Sequence, residues 1–473
     1  MRKFLPQSFF DCFFLLILIA YILAGTSSVP FHGDESTQIY MSRDYAYQFL
    51  QADLDLVRYH DPPLNATEQQ LRLLNGTLNK TLIGFAWHLS GFSVDQVNEQ
   101  WDWGGDWNYN QSNNHAPSEA LLQISRIPSA LLLAAGVIVI FVLGQMLGGR
   151  PVAYLASLYY ALNPALLIEA RRAMMEGSLT FFSLLTLLAG VWLLQKRRWW
   201  TAILLGIAAG LALASKHTAV FTLIAVFGAC ALYPLAEWGI GKWRNRGEIR
   251  ALPLQIYAML LVAGVIALGV FYGMNPAWWG NPVTRAGQVL ALRSDLLTGQ
   301  TAAFGGYSSL SEALSGFFRQ VFVNSPQYYE IPAWAGYIAE PIARYESSVW
   351  HGISIGGSVL GGVVLLVLTV LGGGVAMGRK LALTQVYSDI STAQQKAERR
   401  SVRILIFVWA LAMGVTTALL TPIEWQRYYL PAAPAVGLLA ALGLVWLIQR
   451  VRNRLGASTN ILRNKKGEHI GSP

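Results

Sequence analysis

Charge is scarce in this chain: 13% of its 473 residues are Asp, Glu, Lys or Arg, about half the share usual in a soluble domain. With 54% of residues apolar, that scarcity excludes an ordinary soluble enzyme. Cysteine is scarcer still. Cys12 and Cys230 each lie inside an apolar block, so neither can staple an exposed loop and no disulfide framework is available. The short polar loops also lack a Gly-x-x-x-x-Gly-Lys phosphate cradle, a kinase-like set and a strand–turn–helix unit, which argues against a cytoplasmic nucleotide as substrate. There is no tandem repeat and no low-complexity tract.

What is present is a series of apolar blocks, at about 9–25, 127–147, 152–168, 178–194, 201–215, 218–236, 254–273, 352–377, 404–420 and 430–449. Most approach the ~20 residues that an α-helix needs to cross a bilayer. The expectation is an all-α polytopic membrane protein with about ten transmembrane helices over residues 1–450 and a basic cytoplasmic tail over 451–473. The first block follows Met1-Arg2-Lys3 and reads as an uncleaved anchor rather than a signal peptide. Of the 35 Lys and Arg, 22 fall in the N-terminus, the loops at 148–151, 195–200, 237–253 and 378–403, and the tail from Arg450. The positive-inside rule makes these cytoplasmic, with both termini on that side. Two long segments, 26–126 and 274–350, are then extracytoplasmic. The net charge of +9 expresses this topology. The basic tail suits anionic membrane lipids, and no nucleic-acid partner is expected.

The first long segment carries two helical patterns, over Ser36 to Gln51 and Leu78 to Leu89, expected as amphipathic helices in the membrane interface. On the second, Lys80 and Trp87 share a face, which suits the head-group layer. Trp101-Asp102-Trp103-Gly104-Gly105-Asp106-Trp107-Asn108, running on to Asn114, is aromatic and polar at once. It fits either stacking against sugar faces or an interfacial aromatic belt.

Asp34 and Glu35 stand just past the first block, an uncommon place for adjacent carboxylates. A carboxylate among apolar helices can take a proton from an acceptor hydroxyl; the competing reading is a helix start, with Asp34 or Ser36 as N-cap. Other charges sit where blocks meet the same interface: Arg171, Arg172, Glu176, Lys216 with His217, and Arg427. Cations are unexpected in such short outer turns. Singly, Lys216 could snorkel, Arg171 and Arg172 could face head groups, and Arg427 could pair with Glu424. A convergent set is what a lipid-linked phosphate requires.

Several strings resemble the lipid-carrier-dependent glycosyltransferases of the GT-C fold, among them the protein O-mannosyltransferases and the aminoarabinose transferases. They are Gly33-Asp34-Glu35 with Tyr40 and Arg43, Ser125-Arg126-Ile127-Pro128-Ser129-Ala130, Ala170-Arg171-Arg172-Ala173-Met174-Met175-Glu176, Gly210 to Thr218, and Arg427-Tyr428-Tyr429-Leu430-Pro431 with Pro434. Their order agrees with that family over about residues 5–450. Two departures concern Lys80, whose Asn79-Lys80-Thr81-Leu82 lacks the family's prolines, and Glu176, where the family has Asp. Asp53-Leu54-Asp55 reads as surface charge rather than a nucleotide-metal site.

The resemblance implies inverting sugar transfer from a polyprenyl-phosphate donor to a lipid, glycan or protein acceptor, at the outer face of a prokaryotic plasma membrane. It implies Asp34 as base and Glu35 as an acceptor-orienting or cation-binding group. Arg172, Lys216 and Arg427, with Arg171 and Lys80 behind them, would hold the phosphate, and Glu176 and His217 would orient. No metal ligands are assigned, and a divalent metal ion is the one cofactor left open. The rival is a transporter or flippase of lipid-linked sugars, which should show paired helices broken by Gly or Pro.

Overall fold

The computed structural model describes residues 7–244, 254–378 and 393–468, and every regular element within them is helical. Eight helices are long and apolar enough to cross a membrane: Gln7–Ser28, Glu119–Gly148, Glu176–Lys196, His217–Gly239, Leu254–Met274, Val359–Met377, Arg399–Leu420 and Leu430–Leu455. The other two expected blocks differ. The block at 152–168 is a pair of helices, Arg150–Leu162 and Pro164–Arg171, bent by 56°. Pro164 causes the break, because it has no N–H for the preceding turn and the Asn163 side chain caps the new helix by accepting from Leu166 N–H at 3.0 Å. The block at 201–215 is Trp199–Ser215; its 17 residues give about 25 Å, less than the ~30 Å hydrocarbon core. The last helix continues from Ala433 to Glu468, carrying the apolar stretch into the basic tail without a break.

Without water between helices, spans associate by close backbone approach at small residues. Gly206 and Gly210 let Trp199–Ser215 lie against Leu254–Met274; a Cβ there would stand 2.6 and 2.7 Å from the Ala263 and Ala267 carbonyl oxygens. Gly372 is tighter, since its Cβ would meet the Leu439 carbonyl oxygen at 1.8 Å. Gly372 and, less tightly, Gly373 therefore serve packing, inside a helix that is unbroken from Val359 to Met377. Among the described residues the only bent pair of apolar helices is the one at Asn163-Pro164, so the paired breaks of the transporter rival are not seen. Gly372→Leu should cost ~3 kcal/mol or more by overpacking, read as a lower melting temperature in detergent; an unchanged value would refute the close approach.

Segments 26–126 and 274–350 meet at one end of the bundle, called the loop face below. There Leu73 packs with Ala277, Trp278 and Val289, and Val29 and Ile168 pack with Tyr328 and Tyr345. The helix Thr77–Leu89 has the expected periodicity but the opposite orientation. Lys80 and Trp87 do share a face, yet they are 2% and 0% exposed, while Phe85 and Leu89 point outward. The reason is a buried partner for each. Lys80 Nζ donates to Asp44 Oδ2 at 2.5 Å and the Trp87 indole donates to Ser42 Oγ at 2.9 Å. Arg72 binds the same Asp44 carboxylate at 2.7 Å.

Candidate functional site

The helix Gly33–Met41 begins at His32, and that start settles which residue caps it. His32 Nδ1 accepts from the Asp34 N–H at 3.0 Å, and a Glu35 oxygen accepts from the His32 N–H at 3.1 Å. His32 is thus the N-cap, in place of Asp34 or Ser36. The Asp34 carboxylate takes no part in the cap and is 26% exposed, ion-paired to the Arg427 guanidinium. Arg427 Nε also lies 3.2 Å from Glu330 Oε1, and Glu330 Oε2 is 2.7 Å from His32 Nε2. With Nδ1 used as an acceptor, the His32 proton resides on Nε2. Burial lowers the His32 pKa and outweighs the opposing pull of Glu330, so the ring is neutral at pH 7.

Successive helical residues point about 100° apart, and Glu35 accordingly faces away from Asp34 into the protein. It is completely buried. Its oxygens take two guanidinium bonds from Arg126, at 2.7 and 2.8 Å, and one from the Ala173 N–H at 2.9 Å. Burial opposes ionisation of Glu35, but Arg126 and the backbone donors outweigh it, leaving its pKa below the ordinary carboxylate range. Glu35 ties the first loop to Glu119–Gly148 and to the turn after Arg171. Its lone pairs are spent in doing so.

A cavity of about 340 Å³ opens next to Arg427. Arg427, Lys216, His217 and Arg293 are its basic lining residues, hydroxyl residues such as Thr180, Ser183 and Thr416 also line it, and Leu184, Phe221, Trp409 and Met413 are among its apolar ones. Lys216 Nζ donates to Glu176 Oε1 at 2.8 Å. Glu176 Oε2 and His217 Nε2 are buried without a hydrogen-bond partner. Arg293, on the helix Pro282–Phe304, has no signal in the sequence beyond being one cation of a long amphipathic stretch. Glu424 is taken by Arg319 at 2.5 Å, which leaves Arg427 to Asp34 and Glu330.

The other expected phosphate-binding cations do not line this cavity. Arg171 is fully buried and donates to the carbonyls of Tyr21, Ile22 and Trp350 at 2.5–2.8 Å. It satisfies orphan acceptors at the end of the first helix. Arg172 is also fully buried, bonded to the carbonyls of Pro30 and Tyr328. Lys80 is held by Asp44. Asp53 and Asp55 are exposed, as expected for surface charge. Among the described residues no group of three or more His, Cys, Asp or Glu is placed to hold a metal ion.

Residues 70–273 match the sequence model of a family described as dolichyl-phosphate-mannose-protein mannosyltransferase. The archaeal oligosaccharyltransferase AglB from Archaeoglobus fulgidus, solved with an inhibitory peptide and a dolichol-phosphate, aligns over 96% of this chain and 52% of its own, at 13% identity and TM-score 0.51. The chain has the GT-C glycosyltransferase fold. Two further GT-C structures are similar at lower scores. ArnT from Cupriavidus metallidurans aligns over 97% of this chain and 65% of its own, at 14% identity and TM-score 0.49. The Saccharomyces cerevisiae protein O-mannosyltransferase Pmt1-Pmt2 complex, bound to the sugar donor, aligns over 58% of this chain and 33% of that one, at 19% identity and TM-score 0.40. The chain spans between a third and two thirds of the length of these GT-C structures. No curated protein sequence matches it.

Proposed function

We propose that this chain transfers a sugar, with inversion, from a polyprenyl-phosphate donor to an acceptor hydroxyl on the extracytoplasmic side of a prokaryotic plasma membrane. The observation that carries the reading is the position of Arg427, which pairs with the Asp34 carboxylate and also lines the cavity that holds Lys216. One cation thus joins a base to a pocket with an apolar interior and a cationic mouth. A prenyl phosphate has that same division, and the GT-C fold together with the mannosyltransferase match supports it.

In this mechanism the donor phosphate enters between Arg427, Lys216 and Arg293, and its prenyl chain follows the apolar lining. The phosphate draws Arg427 toward itself and releases Asp34. Asp34 takes the acceptor proton as the acceptor oxygen bonds to the anomeric carbon. The bond from that carbon to the phosphate oxygen breaks, and the electron pair leaves with the phosphate. The cations neutralise the charge that builds there. Glu176 holds Lys216 in place. His32 and Glu330 position Arg427.

The test measures binding of labelled polyprenyl-phosphate mannose to membranes. Arg427→Ala should weaken donor binding by about tenfold or more, the usual worth of a charge-assisted hydrogen bond. Unchanged affinity would sink the phosphate role.

A further inference from the structure

An aromatic assembly stands beside Asp34 that the transfer mechanism does not use. Trp101, Trp103 and Trp107 of the first loop pack with Trp334 of the second at ring separations of 5.5, 5.7 and 6.3 Å respectively. Tyr337 stacks on Trp107 at 5.6 Å, with the rings 5° from parallel. The assembly reaches the site through His32, whose ring lies 6.4 Å from Trp103 and 4.2 Å from Tyr329. His32 in turn caps the helix that bears Asp34.

Three observations separate this assembly from a membrane belt. A belt spreads its rings around the perimeter of the spans, whereas these converge on one point where two loops meet. Trp103 and Tyr337 remain 43% and 53% exposed although they are packed against other rings. The third observation is a donor without an acceptor. The Trp101 indole N–H has no hydrogen-bond partner although the residue is 1% exposed. That nitrogen lies 2.9 Å from where a Cβ on Gly33 would stand, and the Tyr329 hydroxyl lies as close. Gly33 immediately precedes Asp34. The Tyr329 hydroxyl accepts from the Gly33 N–H at 3.2 Å; a buried donor left unpaired, as the Trp101 indole is, costs ~1–3 kcal/mol, and an acceptor oxygen that reaches it removes that cost.

Building on the glycosyl-transfer reading, we propose that the acceptor is itself a saccharide. Its ring face rests on Trp103 and Trp334, and one of its oxygens accepts from the Trp101 indole beside Gly33. A pyranose presents C–H groups on its faces and hydroxyls at its edge, which matches exposed rings bordered by polar groups. Asp102 and Asp106 flank the platform and favour a neutral sugar over an anionic one. In the transfer the saccharide hydroxyl gives its proton to Asp34 and its oxygen to the donor's anomeric carbon. The products are a glycoside and polyprenyl phosphate.

The experiment uses the full chain in lipid nanodiscs, labelled polyprenyl-phosphate mannose, and two acceptor probes: a mixture of mannotriose, maltotriose and cellotriose, and a Ser/Thr-containing hexapeptide. Label should enter the trisaccharides. Trp103→Ala should raise the trisaccharide KM by tenfold or more while the donor KM moves less than twofold, and Trp103→Phe should restore most of the loss. Label confined to the peptide, or a trisaccharide KM indifferent to Trp103→Ala, overturns the proposal and leaves the glycosyl-transfer reading intact. No donor cleavage with any acceptor overturns both.

Discussion

Asp34→Asn is expected to lower sugar transfer by at least ~10²-fold, the usual worth of a positioned general base. Donor affinity should not weaken. The amide keeps the size of the side chain and loses its proton affinity, so the acceptor oxygen stays protonated as it approaches the anomeric carbon. Removing the negative charge also frees Arg427 from its ion pair and leaves it available to phosphate, which holds donor binding level or tightens it. This combination is the reverse of the one expected for Arg427→Ala. Comparing turnover of labelled polyprenyl-phosphate mannose with its equilibrium binding separates them, and full transfer by Asp34→Asn would remove Asp34 as the base.

The other large effect is on stability. Glu35→Ala leaves the Arg126 guanidinium buried without its counter-charge, a change that costs ~3–5 kcal/mol in comparable buried pairs. That is a large part of the ~5–15 kcal/mol that typically holds a protein folded. The pH dependence has a definite sign. Because the folded pKa of Glu35 lies below the ordinary value, its contribution is complete above the unfolded pKa of ~4.3. It is lost as pH falls through the lower folded value. Melting temperature against pH should therefore fall in acid for the wild type, and less steeply for Glu35→Gln, which has no carboxyl to titrate. The double variant Glu35→Leu, Arg126→Met should recover much of the loss, since an apolar pair of similar volume replaces the buried ions. A Glu35→Ala protein that melts within ~1 °C of wild type would refute the clamp.

Much of the architecture is legible in the sequence because lipid imposes a simple rule: a span must be long, apolar and helical. Every expected block contains a helix, although the one at 352–377 becomes helical only from Val359; two other departures have local causes, a proline after Asn163 and a helix too short to cross alone. Charge was harder to read. Asp34 pairs with Arg427, and Arg427 shares a cavity lining with Lys216. Arg171 and Arg172 sit in an equally suggestive turn but spend their donors inside the protein, on backbone carbonyls, the Tyr345 hydroxyl and the Glu169 carboxylate, and no sequence pattern distinguishes a guanidinium facing a phosphate from one facing buried protein acceptors. Lys80 faces inward because Asp44 lies there, a partner fixed by tertiary packing. Glu330 escaped notice because it meets His32 across 298 residues, from a loop whose local pattern carries no sign of the contact. Arg293 escaped for the same reason.

Asp34 and Glu35 are neighbours in sequence with opposite surroundings, one partly exposed and paired with Arg427, the other locked to Arg126 and Ala173. A single peptide bond joins the group proposed to move a proton to a group held fast by its buried partners. Loosening the anchor displaces its neighbour by as much as the anchor itself shifts, so damage to either carboxylate silences the same reaction. A survey that scores activity alone would count both as catalytic. Only the thermal melt tells the tool from the vice that grips it.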